Sequence, residues 1–245
     1  MTNRFTLITG ASSGIGEKCA VELSQNGRII LSGRNYDKLD IVRNKCINSN
    51  DHLIWCIDLA NNRMDIFNSL SSFLKENDIV IESFIHCAGI TKILPLRNFI
   101  PQYVDQIFNT NILSALEILR VLLKKDNKGS LTNIVLISGL WSIRGDIGNS
   151  IYAASKGAIN SLVCSLAQEL APKVRVNAIL PGAILTPMTM NLLLNSELSD
   201  KISKDYPLGL GTIEDIVNYI IFLLSEKSRW ITGQNIVIDG GRSTK

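Results

Sequence analysis

Tyr152 and Lys156 stand four residues apart in a stretch with helical periodicity, so both side chains leave the same side of a helix. A free phenol has a pKa of about 10, and exchanging its proton near neutrality asks for about three units, roughly 4 kcal/mol. A lysine cation about 4–5 Å away, at an effective dielectric near 20, supplies about 3–4 kcal/mol. The pair is therefore equipped for proton transfer. A different chemistry is written near the N-terminus, where Thr9-Gly10-Ala11-Ser12-Ser13-Gly14-Ile15-Gly16 ends an apolar run and opens a helical pattern. Glycines in such a turn let backbone N–H groups come close to a pyrophosphate at a helix N-terminus.

Two such features, some 140 residues apart in the chain, need a scaffold that brings them together. Short apolar runs at 5–9, 28–32, 53–57, 81–87, 133–137, 174–179 and 235–238 are near-continuous in Ile, Val and Leu. That pattern fits strands covered on both faces of a parallel sheet. Amphipathic helical stretches lie between them at 14–26, 36–48, 63–76, 103–125, 152–170 and 212–224. The alternation predicts a doubly wound α/β fold, a seven-stranded parallel sheet with helices on both faces. No repeat or composition shift divides residues 1–245, so one domain is expected. The irregular stretch from Thr186 to about Tyr206 reads as an extra helix pair over a site.

Composition narrows the function classes. At 46% hydrophobic and 19% charged residues the chain is not disordered in bulk. A net charge of +3 with interleaved signs argues against a nucleic-acid or anionic-membrane surface. No apolar stretch reaches the ~20 residues of a membrane span, and the opening runs too quickly into a glycine turn for a signal peptide. Cys19, Cys46, Cys56, Cys87 and Cys164 show no paired spacing, so neither a disulfide framework nor a metal site is expected. They fall on core-like positions and read as buried, inert thiols. His52 and His86 lack Ser/Asp partners for a hydrolase triad. The expectation is a reduced, cytoplasmic protein.

The Gly-x-x-x-Gly-x-Gly spacing of Gly10, Gly14 and Gly16, with the other motifs in order, resembles the short-chain dehydrogenase/reductase family over essentially the whole chain. Asp58 and Leu59 follow the third strand, where the family places an aspartate on the adenine ring. His86-Cys87-Ala88-Gly89 is similar to the family's Asn-Asn-Ala-Gly, with both asparagines replaced. Asn111 matches the family's helix asparagine, Tyr152 and Lys156 its catalytic pair, and Pro181-Gly182 with Ile184 and Thr186 its nicotinamide-side loop. Residues 231–241 resemble its C-terminal segment, which packs between subunits. The resemblance implies hydride transfer between a nicotinamide cofactor and a carbonyl or alcohol. It makes Tyr152 the proton donor, Lys156 its activator and ribose ligand, and Asn111 the anchor of a water relay. The cofactor contacts it implies are Gly10, Ser12, Ser13, Gly14, Ile15, Gly16, Arg34, Asp58, Leu59, Ala88, Gly89, Asn111, Tyr152, Lys156, Pro181, Gly182, Ile184 and Thr186.

NAD-preferring members carry an acid at the end of the second strand. Here Gly33 stands there, followed by Arg34, whose guanidinium can take a 2′-phosphate bidentately. Ser13 can add a hydroxyl, so NADP(H) is expected ahead of NAD(H). One family residue is missing. The serine that polarises the substrate carbonyl stands thirteen residues before the tyrosine, and here that residue is Gly139. Ser138 and Ser142 are the neighbouring hydroxyls; Ser138 faces away unless the strand end bulges. Losing one such donor typically costs about 10²–10³ in rate. Three readings follow: an active reductase using Ser138, Ser142 or water; a catalytically weakened cofactor-binding or regulatory protein; or an enzyme whose substrate brings its own polar group.

The substrate side is expected from Gly139, Leu140 and Trp141, from 149–151 and from 183–194, with Met188, Met190 and Leu192 to Leu194 closing over a ligand. The chain broadly resembles acyl-carrier-protein ketoreductases. However, Asn149-Ser150-Ile151 stands before the tyrosine in place of the Gln-x-Asn of their Gly-Gln-x-Asn-Tyr, and Gln168 stands where an arginine would meet an acidic carrier. The expected partners are a small-molecule carbonyl or alcohol and further copies of the chain, as a homodimer or homotetramer, without nucleic acid or membrane.

Overall fold

The structure, a computed structural model, describes residues 3–60, 62–127, 129–190 and 204–244. Seven strands form one parallel sheet: β1 (Arg4–Thr9), β2 (Arg28–Gly33), β3 (Leu53–Cys56), β4 (Val80–His86), β5 (Asn133–Ile137), β6 (Arg175–Pro181) and β7 (Asn235–Ile238). Their order in space is β3-β2-β1-β4-β5-β6-β7, so the winding reverses between β1 and β4. An open α/β sheet leaves a crevice at that switch point, beyond the carboxyl ends of the strands.

The near-continuous apolar runs are explained by the two layers they serve. Leu7, Phe84 and Ile134 point into one core, Ile8, Ile85 and Val135 into the other, and all six are buried. The first core is closed by α3 (Arg63–Glu76), α5 (Ser114–Leu122) and α6 (Ser150–Leu170). The second is closed by α1 (Gly14–Leu23), α2 (Tyr36–Arg43) and α7 (Ile213–Leu224), with α1 packed on α7.

Two expectations need adjustment. The stretch read as one helix over 103–125 is α4 (Pro101–Phe108), a wide π turn at Asn109–Leu113, and then α5. A π turn inserts a residue into the helical ladder and commonly marks a functional position; Asn111 sits at its centre. The helix pair expected between Thr186 and Tyr206 falls largely on 191–203, outside the described residues, as do Leu192, Leu193 and Leu194. Tyr206 itself is buried, and its phenol oxygen accepts the Ala183 N–H at 2.9 Å.

Candidate active site

The glycine loop and the Tyr–Lys pair meet at the carboxyl ends of the central strands, in the wall of one cleft of about 460 Å³. Every expected cofactor-contacting residue lines it except Asn111. The loop is held by direct backbone contact. A Cβ on Gly10, whose φ is +67°, would stand 2.8 Å from the Ala88 nitrogen, and one on Gly16 would stand 2.4 Å from the Gly10 oxygen. Neither distance is tolerable, so both positions demand glycine. Ser13 enters α1 in an extended conformation without capping it, and the cleft-lining Gly14, Ile15 and Gly16 form the first turn. Across the cleft Arg34 is exposed at the rim, and one Asp58 carboxylate oxygen accepts the Ala60 N–H at 3.0 Å.

Lys156 is buried, and its ammonium donates to the Ile137 carbonyl at 2.8 Å. It stands 5.9 Å from the Tyr152 ring centroid and beside Gly89, where a Cβ would come within 3.1 Å of it. Burial pushes the lysine down to about 8, against an opposing influence of Cys87. Burial also pushes the Tyr152 phenol up to about 12. Desolvation of the phenol thus works against the activation expected from spacing.

The hydroxyls around Gly139 are engaged elsewhere. Ser138, expected as a candidate carbonyl-polarising group, lines the cleft, and its hydroxyl donates to the Lys156 carbonyl at 3.0 Å. Ser142 donates to the Gly139 carbonyl at 2.6 Å and accepts from the Asn160 amide at 2.7 Å, and Leu140 is buried. Of Gly139, Leu140 and Ser142, only Gly139 lines the cleft. A Cβ there would meet the Tyr152 hydroxyl at 3.1 Å, so the glycine occupies the place from which a serine would reach the phenol. Trp141 and residues 149–151 do not line the cleft, whereas Ile184, Thr186, Pro187, Met188 and Thr189 do.

Asn111 is buried. Its side-chain oxygen accepts the Ile90 N–H at 2.8 Å, and its amide donates to the Ile90 carbonyl at 3.0 Å and to Ser155 at 2.9 Å. These bonds clamp the strand-end loop to α6 and leave the Asn111 main chain open for a relay. His86 packs beneath. Its Nδ1 meets the Thr9 hydroxyl at 2.9 Å, and its Nε2, next to the Thr110 and Asn111 carbonyls, closes no hydrogen bond. Burial, and then the Lys156 charge, lower it to about 3. The cysteines are less uniform than expected: Cys19 and Cys46 are buried, Cys56 and Cys164 exposed, and Cys87 lines the cleft. Spacing could not reveal Cys87, because the family pattern has an asparagine there. Among the described residues no group of three His, Cys, Asp or Glu is placed to hold a metal, and no helix is long and apolar enough to cross a membrane.

Residues 10–243 match the family model described as enoyl-(acyl carrier protein) reductase. The chain is 32% identical over 244 residues to a 3-oxoacyl-[acyl-carrier-protein] reductase of Rickettsia bellii, covering 98% of this chain and 97% of that one. Its structure is similar to 4-hydroxyisoleucine dehydrogenase complexed with NADH, with a TM-score of 0.91, 27% identity and 99% of each chain covered. It is also similar to ElxO with NADP bound, with a TM-score of 0.88, 26% identity and 100% of each chain covered.

Proposed function

The chain belongs to the short-chain dehydrogenase/reductase family of oxidoreductases, and from that premise we propose that it transfers a hydride between NADP(H) and a carbonyl or alcohol substrate, with Tyr152 moving the proton. The observation that carries this reading is the convergence of the glycine loop, Tyr152 and Lys156 on one cleft. The fit to a dinucleotide rests on the cradle. Where Gly10 and Gly16 leave no room for a Cβ, backbone amides can approach a pyrophosphate. Related structures hold NADH in one case and NADP in another. The choice of NADP(H) therefore rests on this chain's own Gly33 and Arg34, an open strand end followed by a rim guanidinium in place of an acid.

When bound, the nicotinamide would supply the hydride donor or acceptor, and in its oxidised form a positive charge. Tyr152 then gives its proton to the carbonyl oxygen in reduction and takes it back in oxidation. Lys156 holds the ribose and adds positive charge beneath the phenol, countering the burial that lifts it to about 12. Asn111 fixes the loop that carries Gly89 and Ile90 against α6.

A second reading is favoured by one observation. The Ser138 and Ser142 hydroxyls donate to the Lys156 and Gly139 carbonyls, so among the described residues around Gly139 the Tyr152 phenol is the group left to polarise a carbonyl. On that reading the protein binds NADP(H) tightly and turns over slowly, in a regulatory role. The discriminating experiment is NADPH consumption over a ketone, dicarbonyl and quinone panel. Turnover that falls by about 10²–10⁴ in Tyr152→Phe supports the enzyme. NADPH binding with no turnover on any carbonyl supports the binder, and turnover unchanged in Tyr152→Phe overturns the assignment of the tyrosine.

We further propose a homodimer or homotetramer built on the two long central helices and the C-terminal strand, just before which Trp230 is 91% exposed. Monomer alone in sedimentation at micromolar concentration would overturn it.

A further inference from the structure

The loop that follows β6 crosses the cleft as a strap, and a phenol holds its root. The Gly182 N–H still reaches a strand partner, donating to the Ile238 carbonyl at 2.9 Å. The next donor, the Ala183 N–H, lies beyond the sheet and donates to the Tyr206 hydroxyl at 2.9 Å. The Tyr206 ring backs the same turn, since a Cβ on Gly182 would stand 2.8 Å from its Cε1. Past the root the strap supports itself: the Thr189 hydroxyl accepts the Thr186 N–H at 3.0 Å and donates to the Ile184 carbonyl at 2.5 Å. Its far end reaches the opposite wall, where a Cβ on Gly14 would lie 3.6 Å from Pro187 Cδ. Tyr206 does not line the cleft. The C-terminal turn fixes it from behind, with Asp205 paired to Arg242 at 3.0 Å and the Leu208 N–H donating to the Gly240 carbonyl at 3.0 Å.

We propose that Tyr206 is a positioning residue for hydride transfer: its hydroxyl fixes the root of the strap 183–190 and, through it, the nicotinamide end of the dinucleotide. The inference rests on the cofactor reading given above. A strap that is stiff along its length moves as a unit, so a change of direction at Ala183 is carried to Ile184, Thr186 and Met188, which line the cleft. Removing the hydroxyl takes away the acceptor of the Ala183 N–H, and the root opens more often. Apparent affinity then falls with the fraction of molecules whose strap is in place. The glycine loop does not share this dependence, because it is set by main-chain contact between 10–16 and 87–89. The two halves of a dinucleotide are therefore held by separate devices, and Tyr206 serves only the nicotinamide half.

The test uses the full-length protein and Tyr206→Phe, which keeps the ring against Gly182 and removes only the acceptor. Binding of NADPH is compared with that of adenosine 2′,5′-bisphosphate, which lacks the nicotinamide half. Amide hydrogen exchange is followed at Gly182 and Ala183 by nuclear magnetic resonance. In Tyr206→Phe the expected result is NADPH bound about tenfold more weakly, with the bisphosphate unchanged. The Ala183 amide exchanges about tenfold faster there, while the Gly182 amide keeps its wild-type rate. Equal weakening of both nucleotides, or of neither, overturns the positioning role, whatever happens to the melting temperature. An Ala183 amide that is unprotected in the wild type overturns the root hydrogen bond, and that measurement decides even if the variant fails to fold. A wild type that binds neither nucleotide, with Ala183 exchange responding as expected, overturns the cofactor assignment and leaves the root hydrogen bond supported.

Discussion

The two walls of the cleft are built on different principles. On one, residues 10–16 press backbone to backbone against 87–89, and the hypothetical Cβ atoms of Gly10 and Gly16 run into main-chain atoms at 2.8 and 2.4 Å. On the other, a Cβ at Gly139 meets the tip of a tyrosine at 3.1 Å; just beyond the cleft, one at Gly145 meets nothing within 4 Å and Ile147 is 90% exposed. The first wall keeps the family's glycines, and the second has lost the family's serine. Where main chain touches main chain, only one residue type fits. Where the neighbour is the end of a side chain, other residue types are accommodated and the chemistry can change.

That contrast can be broken by experiment, beginning with the largest effect. Gly16→Ala should abolish NADPH binding and cost more than about 3 kcal/mol in urea unfolding, because no rotamer relieves a backbone clash. Normal NADPH binding by that variant would show the first wall to be pliable. Beneath the same wall, His86 is held neutral, with its value lowered from 6.5 to about 3. The unfolded chain therefore binds the extra proton between those values. The stability from keeping His86 neutral is complete above about 6.5 and lost as pH falls toward about 3, by about 5 kcal/mol across the window. His86→Asn should flatten that acid limb in thermal denaturation. An unchanged limb would place the acid sensitivity elsewhere.

Gly139→Ser probes the second wall. The new Cβ needs Tyr152 to yield by a few tenths of an ångström, and the hydroxyl should raise kcat on simple ketones by about 10²-fold. No gain on ketones that the wild type already reduces would mean that another group polarises the carbonyl. The smallest effect belongs to Ile147→Ser, expected within about 0.5 kcal/mol of wild type in stability. A substantial rise in KM for apolar ketones, with stability unchanged, would make that exposed isoleucine part of the substrate surface.

Much of the scaffold was legible because it rests on local rules. The Ile/Val/Leu runs mark strands buried on both faces, and Leu7 beside Ile8 shows how one strand feeds two cores. The glycine loop was equally legible, since a tight turn leading into a helix restricts residue type directly. The interruption of the 103–125 helix at Asn109–Leu113 was not, because its apolar periodicity runs on through the π turn. Asn111 was found by position, yet its partners Ile90 and Ser155 come from other elements and leave no local trace.

The residue sequence by itself determined the parallel sheet, the glycine cradle and the placing of Tyr152 and Lys156 on one side of a helix, all of which follow from periodicity and backbone sterics. Only the tertiary structure decided what each polar atom touches. It turned Ser138 toward the Lys156 carbonyl and tied Lys156 to Ile137. It desolvated the Tyr152 phenol, which rises to about 12. Hydrogen bonds and desolvation depend on atoms contributed by distant segments, and their positions are set only when the two cores close on the sheet.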